Sequence, residues 1–134
     1  MLLDLGAIKT LLAAGKTIAV VGLSPKESRP SYMVARYLIG VGYTVIPVNP
    51  GQEKILGLDC YPNLASIPGP VDIVDIFRRS EDVPPIVDEA IAIGAKAVWM
   101  QEGVINEAAA AKARAAGLIV VMDRCLKIVH ANLL

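Results

Sequence analysis

The chain has 134 residues, of which 54% are hydrophobic and 4% aromatic, and its 13 basic residues balance its 13 acidic ones. This length suits a single domain over residues 1–134 with an aliphatic core. Because there is neither a net positive field nor a polybasic tract, the composition argues against nucleic acid and against a membrane surface as partners.

No export signal or membrane span is visible in the chain. The longest apolar stretches are only strand-sized, and Met1–Asp4 lack the basic region of a signal peptide. Cys60 and Cys125 form no C-x-x-C or metal motif. We therefore expect a cytoplasmic protein with reduced cysteines.

Two kinds of apolar segment alternate along the chain. Continuous runs rich in Val and Ile predict parallel strands covered on both faces. The five runs are Thr17–Gly22, Tyr43–Val48, Asp72–Phe77, Lys96–Met100 and Leu118–Met122. Repeated strand–helix units predict an α/β fold, a Rossmann-like doubly wound parallel sheet of about five strands in one domain. In chain numbering of the runs, the predicted strand order is 3-2-1-4-5.

Four helices are predicted between or before these strands. Each starts at a residue that can accept hydrogen bonds from free amides, and these caps are Asp4, Ser31, Asp82 and Asn106. The predicted buried stripes are Leu5, Ile8, Leu11 and Leu12 in the first helix and Val34, Tyr37, Leu38 and Val41 in the second. Asn49–Pro70 predicts an irregular crossover with one short helix near Asn63–Ser66.

Ligands of open parallel sheets bind beyond the carboxyl ends of the strands, where the strand order reverses. For the predicted order, that point lies between the first and fourth strands. The first loop that reaches it joins a strand ending at Gly22 to a helix N-terminus, a geometry that binds phosphate. The candidate hydrogen-bond donors of this loop to a phosphate are Ser24, Ser28 and Ser31, and its candidate cation is Arg29. The alternative is an ordinary βα turn in which Gly22 only reverses the chain.

The second loop distinguishes between nucleotides. A site for NAD usually has Asp or Glu at the end of the second strand, to bind the ribose 2′-hydroxyl. This chain has no acid there, since Pro47, Val48, Asn49 and Pro50 are followed by Gly51 and, further on, Lys54. The segment suits an adenosine whose ribose carries a phosphate. The alternative is a rigid turn bracketed by prolines.

The third and fourth loops add candidate contacts. Phe77 is either a core residue or a flat wall for adenine. Of Arg78 and Arg79, one is expected to contact a ligand and the other to be solvated. Trp99 is expected in the core, whereas Gln101 comes to the ligand edge of the sheet.

Candidate catalytic groups are few. His130 is the only histidine, which excludes a metal site built on histidines, and it is expected to be packed or on the surface of the C-terminal tail. Cys125 is interpreted as a structural thiol, although Arg124 could activate it. Glu102 is the one acid of the fourth loop. We expect no catalytic residue and no metal.

Taken as a set, several segments resemble the small stand-alone CoA-binding proteins, which are related to the CoA-binding domain of the succinyl-CoA synthetase alpha subunit. The resemblance spans about Thr17 to Cys125. Its segments are Val21-Gly22-Leu23-Ser24, Arg29-Pro30-Ser31, Gly42-Tyr43, Ile46-Pro47-Val48-Asn49-Pro50, Val71–Arg78, Val98–Gly103 and Asp123-Arg124-Cys125.

The resemblance implies that coenzyme A binds in an extended groove. It also implies that the nucleotide is lined by three groups of residues: Gly22, Ser24, Arg29 and Ser31; Pro47, Val48, Asn49 and Pro50; and Phe77 and Arg78. The synthetase carries a phosphorylated histidine in a further domain. This chain ends before such a domain and His130 does not match that position, so we expect binding without ligase chemistry.

Three functions are therefore kept open. The first is a non-catalytic carrier, sensor or partner subunit that binds CoA or an acyl-CoA. The second is an enzyme or sensor for NADP or another adenine nucleotide, which Lys54 leaves open. The third is a protein-interaction module with a vestigial pocket. The sequence names no acyl group, pathway or protein partner.

Overall fold

Five parallel strands form the central sheet of the computed structural model, which describes residues 4–134. Met1–Leu3, part of the segment that argued against a signal peptide, lie outside the described residues. The sheet strands are β1 Thr17–Val21, β2 Thr44–Val48, β5 Ile73–Ile76, β6 Ala97–Met100 and β7 Ile119–Val121. A separate antiparallel pair consists of β3 Lys54–Ile55 and β4 Leu58–Asp59. The α/β fold with a five-stranded parallel sheet is thus confirmed.

Helices cover both faces of the sheet, as a doubly wound fold requires. They are α1 Leu5–Ala14, α2 Pro30–Gly40, α3 Val83–Ala92, α4 Glu107–Ala115 and α5 Leu126–Leu133. The residues of α1, α2 and α5 pack on one side of the sheet, and those of α3 and α4 pack on the other. Trp99 is fully buried, which confirms the prediction that it belongs to the core. No helix within residues 4–134 combines the length and apolarity needed to span a membrane.

The predicted strand order is wrong. The observed order is β2-β1-β5-β6-β7, so that the third predicted strand lies beside the first and not beside the second. Pro47 suits the edge position of β2, because proline has no N–H to donate to a further strand. Asp72 joins β5 to β1, since its Oδ2 accepts hydrogen bonds from the amides of Lys16 and Thr17 at 2.8 and 3.0 Å.

Two of the four predicted helix caps are confirmed by their hydrogen bonds. Asp4 accepts from the amide of Ala7, and Asn106 accepts from the amide of Ala109, each at 3.0 Å. Asp82 immediately precedes α3 but makes no side-chain capping bond. Ser31 is not a cap, because α2 begins one residue earlier, at Pro30, whose fixed φ suits the first helical position.

The predicted buried stripes are correct only in part. Ile8, Leu11, Leu12, Val34 and Leu38 are buried. At the helix ends, however, the side chains of Leu5 and Val41 are exposed.

The crossover from β2 to β5 is irregular, as predicted, and its short helix is a 3-10 turn at Leu64–Ser66 capped by Asn63. The β3–β4 hairpin was not predicted. Its two-residue turn, Leu56-Gly57, has positive φ at both positions, and the leucine at the first of them hides the usual sequence pattern of such a turn. α5 was also missed. It buries His130, whose Nδ1 lies 2.7 Å from the hydroxyl of Tyr37.

Candidate functional site

The point where the strand order reverses lies between β1 and β5, and not between the first and fourth predicted strands. From β1 the chain crosses outward to β2, and from β5 it crosses in the opposite direction to β6. The loops after β1 and β5 are therefore neighbours. In open α/β sheets this is the place where ligands bind.

Gly22 opens the first loop with a φ of +87°. Its amide donates to the carbonyl of Val48 at 2.8 Å. A Cβ at this position would overlap the carbonyl oxygen of Phe77 and lie 3.0 Å from its carbonyl carbon. The glycine is thus required by the close approach of the β5 loop, whether or not a ligand is present.

The N-terminus of α2 has no side-chain cap. Ser31 is buried, and its Oγ accepts instead from the amide of Ser24 at 3.0 Å. Ser24 Oγ in turn accepts from the amide of Lys26 at 3.1 Å. These bonds fold the loop around a cavity of about 380 Å³, into which Lys26 and Arg29 bring positive charge. Uncapped helix amides and two cations make this corner suitable for an anion.

Asn49 links the second loop to the first. Its Nδ2 donates to the carbonyl of Leu23 at 3.0 Å, and its Oδ1 accepts from the amide of Gly51 at 3.2 Å. Beyond the end of β2 lies a cavity of about 310 Å³ with apolar walls formed by Val21, Val48, Pro50, Pro62, Leu64 and Ile86. Its polar lining is Asn63, Arg78, Asp82 and Glu89. This slot combines apolar walls with a guanidinium and two carboxylates, and the guanidinium of Arg78 is the group in it that could meet a sugar phosphate.

The third loop carries two arginines in different surroundings. Arg79 is 73% exposed and pairs with Asp82, its Nε lying 3.2 Å from Oδ2. Arg78 is half-buried and lines both the 310 Å³ cavity and a larger one of about 680 Å³. Among residues 4–134, no carboxylate lies within ion-pair distance of Arg78.

The largest of these three cavities, of about 680 Å³, extends along the ends of β5 and β6. Its wall consists of Pro30, Val34, Phe77, Arg78, Arg79, Asp82, Gln101, Glu102, Val104 and Cys125. It shares Pro30 and Phe77 with the anion corner, and Arg78 and Asp82 with the 310 Å³ slot. The large cavity therefore adjoins both smaller ones, and the three together are called the groove along the carboxyl edge of the sheet.

Behind this groove lies a buried carboxyl group that the sequence interpretation missed. Asp75 is fully buried, and its Oδ1 accepts from Nε2 of Gln101 at 2.7 Å. Burial raises the pKa of Asp75 to about 7, with the hydrogen bond from Gln101 acting in the opposite direction. A single acid within an apolar strand was the available sequence signal, because a charge there needs a special environment.

The structure brings most of the predicted site residues together. Those that line the groove are Gly22, Ser24, Arg29, Ser31, Val48, Pro50, Phe77 and Arg78. Asn49 and Pro47 are not part of the lining: Asn49 bonds to the first loop, and Pro47 is a buried residue of β2. Ser28 is exposed on the first loop, and Lys54 forms an exposed ion pair with Asp59 at 3.3 Å. Neither Ser28 nor Lys54 lines any of the three cavities.

Residues 4–134 contain no group of three or more His, Cys, Asp and Glu side chains placed to hold a metal ion. The buried His130 is on α5, away from the groove lining.

Known proteins with similar sequences share this arrangement of elements. The family described as "CoA binding domain" matches residues 16–131. The uncharacterized protein YneT of Bacillus subtilis is 43% identical over 124 residues, which is 92% of either chain. The solved structure of a hypothetical protein from Pyrococcus horikoshii has a TM-score of 0.95 at 42% identity, covering 98% of this chain and 92% of that one.

A similar segment also occurs within a much larger enzyme. The ADP-forming acetate–CoA ligase II of Archaeoglobus fulgidus is 35% identical over 95 residues. The match covers 69% of this chain but only 14% of the ligase. This chain therefore corresponds to one small part of that protein.

Proposed function

The chain belongs to the CoA-binding domain family, and from this premise we propose that it binds coenzyme A or an acyl-CoA in the groove at the carboxyl edge of the sheet. The observation that carries the proposal is the continuity of the three cavities. Coenzyme A is a long molecule with an apolar base at one end, phosphates in the middle and a mostly uncharged arm ending in a thiol. The groove offers a matching environment for each of these three parts.

In this proposal the adenine occupies the slot beside Val48 and Pro50, with the 3′-phosphate near Arg78. The diphosphate lies at the N-terminus of α2, between Lys26 and Arg29. The remaining arm follows Phe77 into the largest cavity. Of the two cations predicted to meet the 3′-phosphate, Arg78 is better placed, because Lys54 is paired with Asp59 outside the groove.

We further propose that the isolated chain binds without catalysing a reaction, as a carrier, sensor or partner subunit. Asp75 is enclosed in the protein and His130 is turned toward Tyr37. This leaves two carboxylates in the wall of the largest cavity: Asp82, which is paired with Arg79, and the exposed Glu102. A general base must come within hydrogen-bond reach of the reacting group.

A thermal-shift panel of CoA, acetyl-CoA, NAD, NADP and ATP tests the proposed ligand class. A ligand at 100 times its Kd stabilises the folded state by about 2.7 kcal/mol, which raises Tm by about 5–10 °C in a chain of this size. We expect this shift for CoA and acetyl-CoA. A larger shift with NADP or ATP would favour the alternative nucleotide function, and no shift with any ligand would favour an interaction module.

The absence of catalysis is tested with the same protein preparation. Incubation with ATP, CoA and acetate is expected to produce neither ADP nor acetyl-CoA. Incubation with NADP and a panel of alcohols is expected to produce no reduced cofactor. Turnover that persists on further purification and is lost in Glu102→Gln would contradict the non-catalytic role and identify Glu102 as the base.

A further inference from the structure

One of the two thiols lies in the wall of the groove. Cys125 directly precedes α5, and its half-buried side chain lines the largest cavity together with Phe77 and Gln101. Cys60 is equally half-buried but lines none of the three cavities, and its Sγ lies 3.4 Å from the carbonyl oxygen of Asn49. The chain thus contains a groove thiol and a matched thiol outside the groove.

The backbone before Cys125 is anchored to the end of β6. Trp99 Nε1 donates to the carbonyl of Arg124 at 2.9 Å, and the amide of Arg124 donates to the carbonyl of Met100 at 3.3 Å. In addition, the amide of Gly103 donates to Oδ1 of Asp123 at 2.7 Å. These bonds hold the thiol at a defined place in the cavity wall.

A second feature, an unpaired buried carboxyl oxygen, lies behind the same wall. Gln101 lines the cavity, and behind it Asp75 is fully buried with an Oδ2 that has no hydrogen-bond partner among the described residues. Buried carboxylate oxygens are rarely left unpaired. The wall that contains Cys125 thus has behind it a polar atom that no described residue satisfies.

Resting on the proposed function, we propose that Cys125 captures coenzyme A covalently by thiol–disulfide exchange with a disulfide of CoA. The anion corner shares Pro30 and Phe77 with the largest cavity. A ligand whose diphosphate lies at the N-terminus of α2 therefore directs its sulfur-bearing arm toward the wall that contains Cys125. The groove selects the CoA disulfide, and Cys125 reacts with it.

The exchange needs no other oxidant. The Cys125 thiolate attacks the nearer sulfur of the CoA disulfide, forming a protein–CoA disulfide while the original S–S bond breaks. The electron pair of the broken bond leaves with the second CoA as a thiolate, which takes up the proton that Cys125 released. One disulfide is consumed and one is formed, and a small thiol reverses the reaction.

Intact-mass measurement of the full chain incubated with CoA disulfide tests the proposal. We expect one CoA per chain, mapped by peptide analysis to Cys125, absent in Cys125→Ser and retained in the matched control Cys60→Ser. Because binding raises the local concentration of the disulfide, the initial rate should exceed that with glutathione disulfide by about tenfold or more. Excess reduced CoA should slow it.

An adduct that forms on Cys60, or equal rates with the two disulfides, would overturn the proposal. Titration of reduced CoA into Cys125→Ser separates this proposal from the binding function. If that variant binds CoA while the wild-type chain forms no adduct, the exchange is wrong and the binding function stands. If Cys125→Ser does not bind CoA and the wild-type chain forms no adduct, the exchange and the binding function are both wrong.

Discussion

Replacing Gly22 by alanine is expected to lower the free energy of unfolding by about 3 kcal/mol or more, since a left-handed backbone and a steric overlap are combined at one position. The φ of +87° disfavours any residue with a Cβ. The Cβ would also meet the carbonyl group of Phe77, which is backbone and cannot rotate away. Urea denaturation of the purified variant measures the loss.

Gly117→Ala is the matched control for this prediction. Gly117 has a similar φ of +91°, but a Cβ there would meet no atom within 4 Å. The Gly117→Ala variant should lose only about 1–2 kcal/mol of its free energy of unfolding, which is the cost of the left-handed conformation. Equal losses at the two positions would show that the contact between the β1 and β5 loops is not tight. Gly22 variants are therefore unsuitable probes of phosphate binding, because they are expected to damage the fold first.

The pH dependence of stability should reveal Asp75. Its pKa is raised by burial from 3.8 to about 7, so the folded chain holds a proton that the unfolded chain releases. The sign follows by linkage: the protonated carboxyl favours the folded state fully below about pH 4, and this contribution is lost as pH rises through about 7. At 1.36 kcal/mol per unit of pKa, the change approaches about 4 kcal/mol.

Asp75→Asn removes this titration while preserving the shape of the side chain. Relative to the variant, the wild-type free energy of unfolding should fall by about 3–4 kcal/mol between pH 4 and pH 8, measured by urea denaturation without ligand. Asp59→Asn changes a carboxylate whose side chain is 74% exposed, and its difference from wild type should vary by only about 0.5 kcal/mol. Parallel pH profiles for wild type and Asp75→Asn would contradict the assignment.

Local patterns predicted the fold class but not the strand order. The apolar runs and the caps at Asp4 and Asn106 depend on neighbouring residues, so they can be inferred from sequence alone. The strand order depends on where the long crossover after β2 places the next strand, β5, in the sheet. Pro47 was the available evidence that β2 is an edge strand, since a proline disfavours a position between two strands.

In the candidate site, too, features that depend on neighbouring residues were predicted, and features that depend on distant residues were not. The corner formed by Gly22 and the adjacent helix start was predicted from local sequence as a candidate phosphate site, although Ser31 contacts the loop instead of capping the helix. The positions of Lys54 and Cys125 were not predictable. The position of Lys54 depends on a hairpin that pairs it with Asp59 on the surface. The position of Cys125 depends on hydrogen bonds between distant residues that hold it in the wall of the groove.

Calorimetric titration of CoA and dephospho-CoA tests the binding account most directly. We predict saturable binding of one CoA per chain, with dephospho-CoA about tenfold or more weaker, because a charge-assisted phosphate contact contributes about 1.5–3 kcal/mol. Arg78→Ala should abolish this preference, and the matched variant Lys54→Ala should retain it. A folded protein that shows no saturable CoA binding, or that binds CoA and dephospho-CoA with equal affinity, would contradict the account.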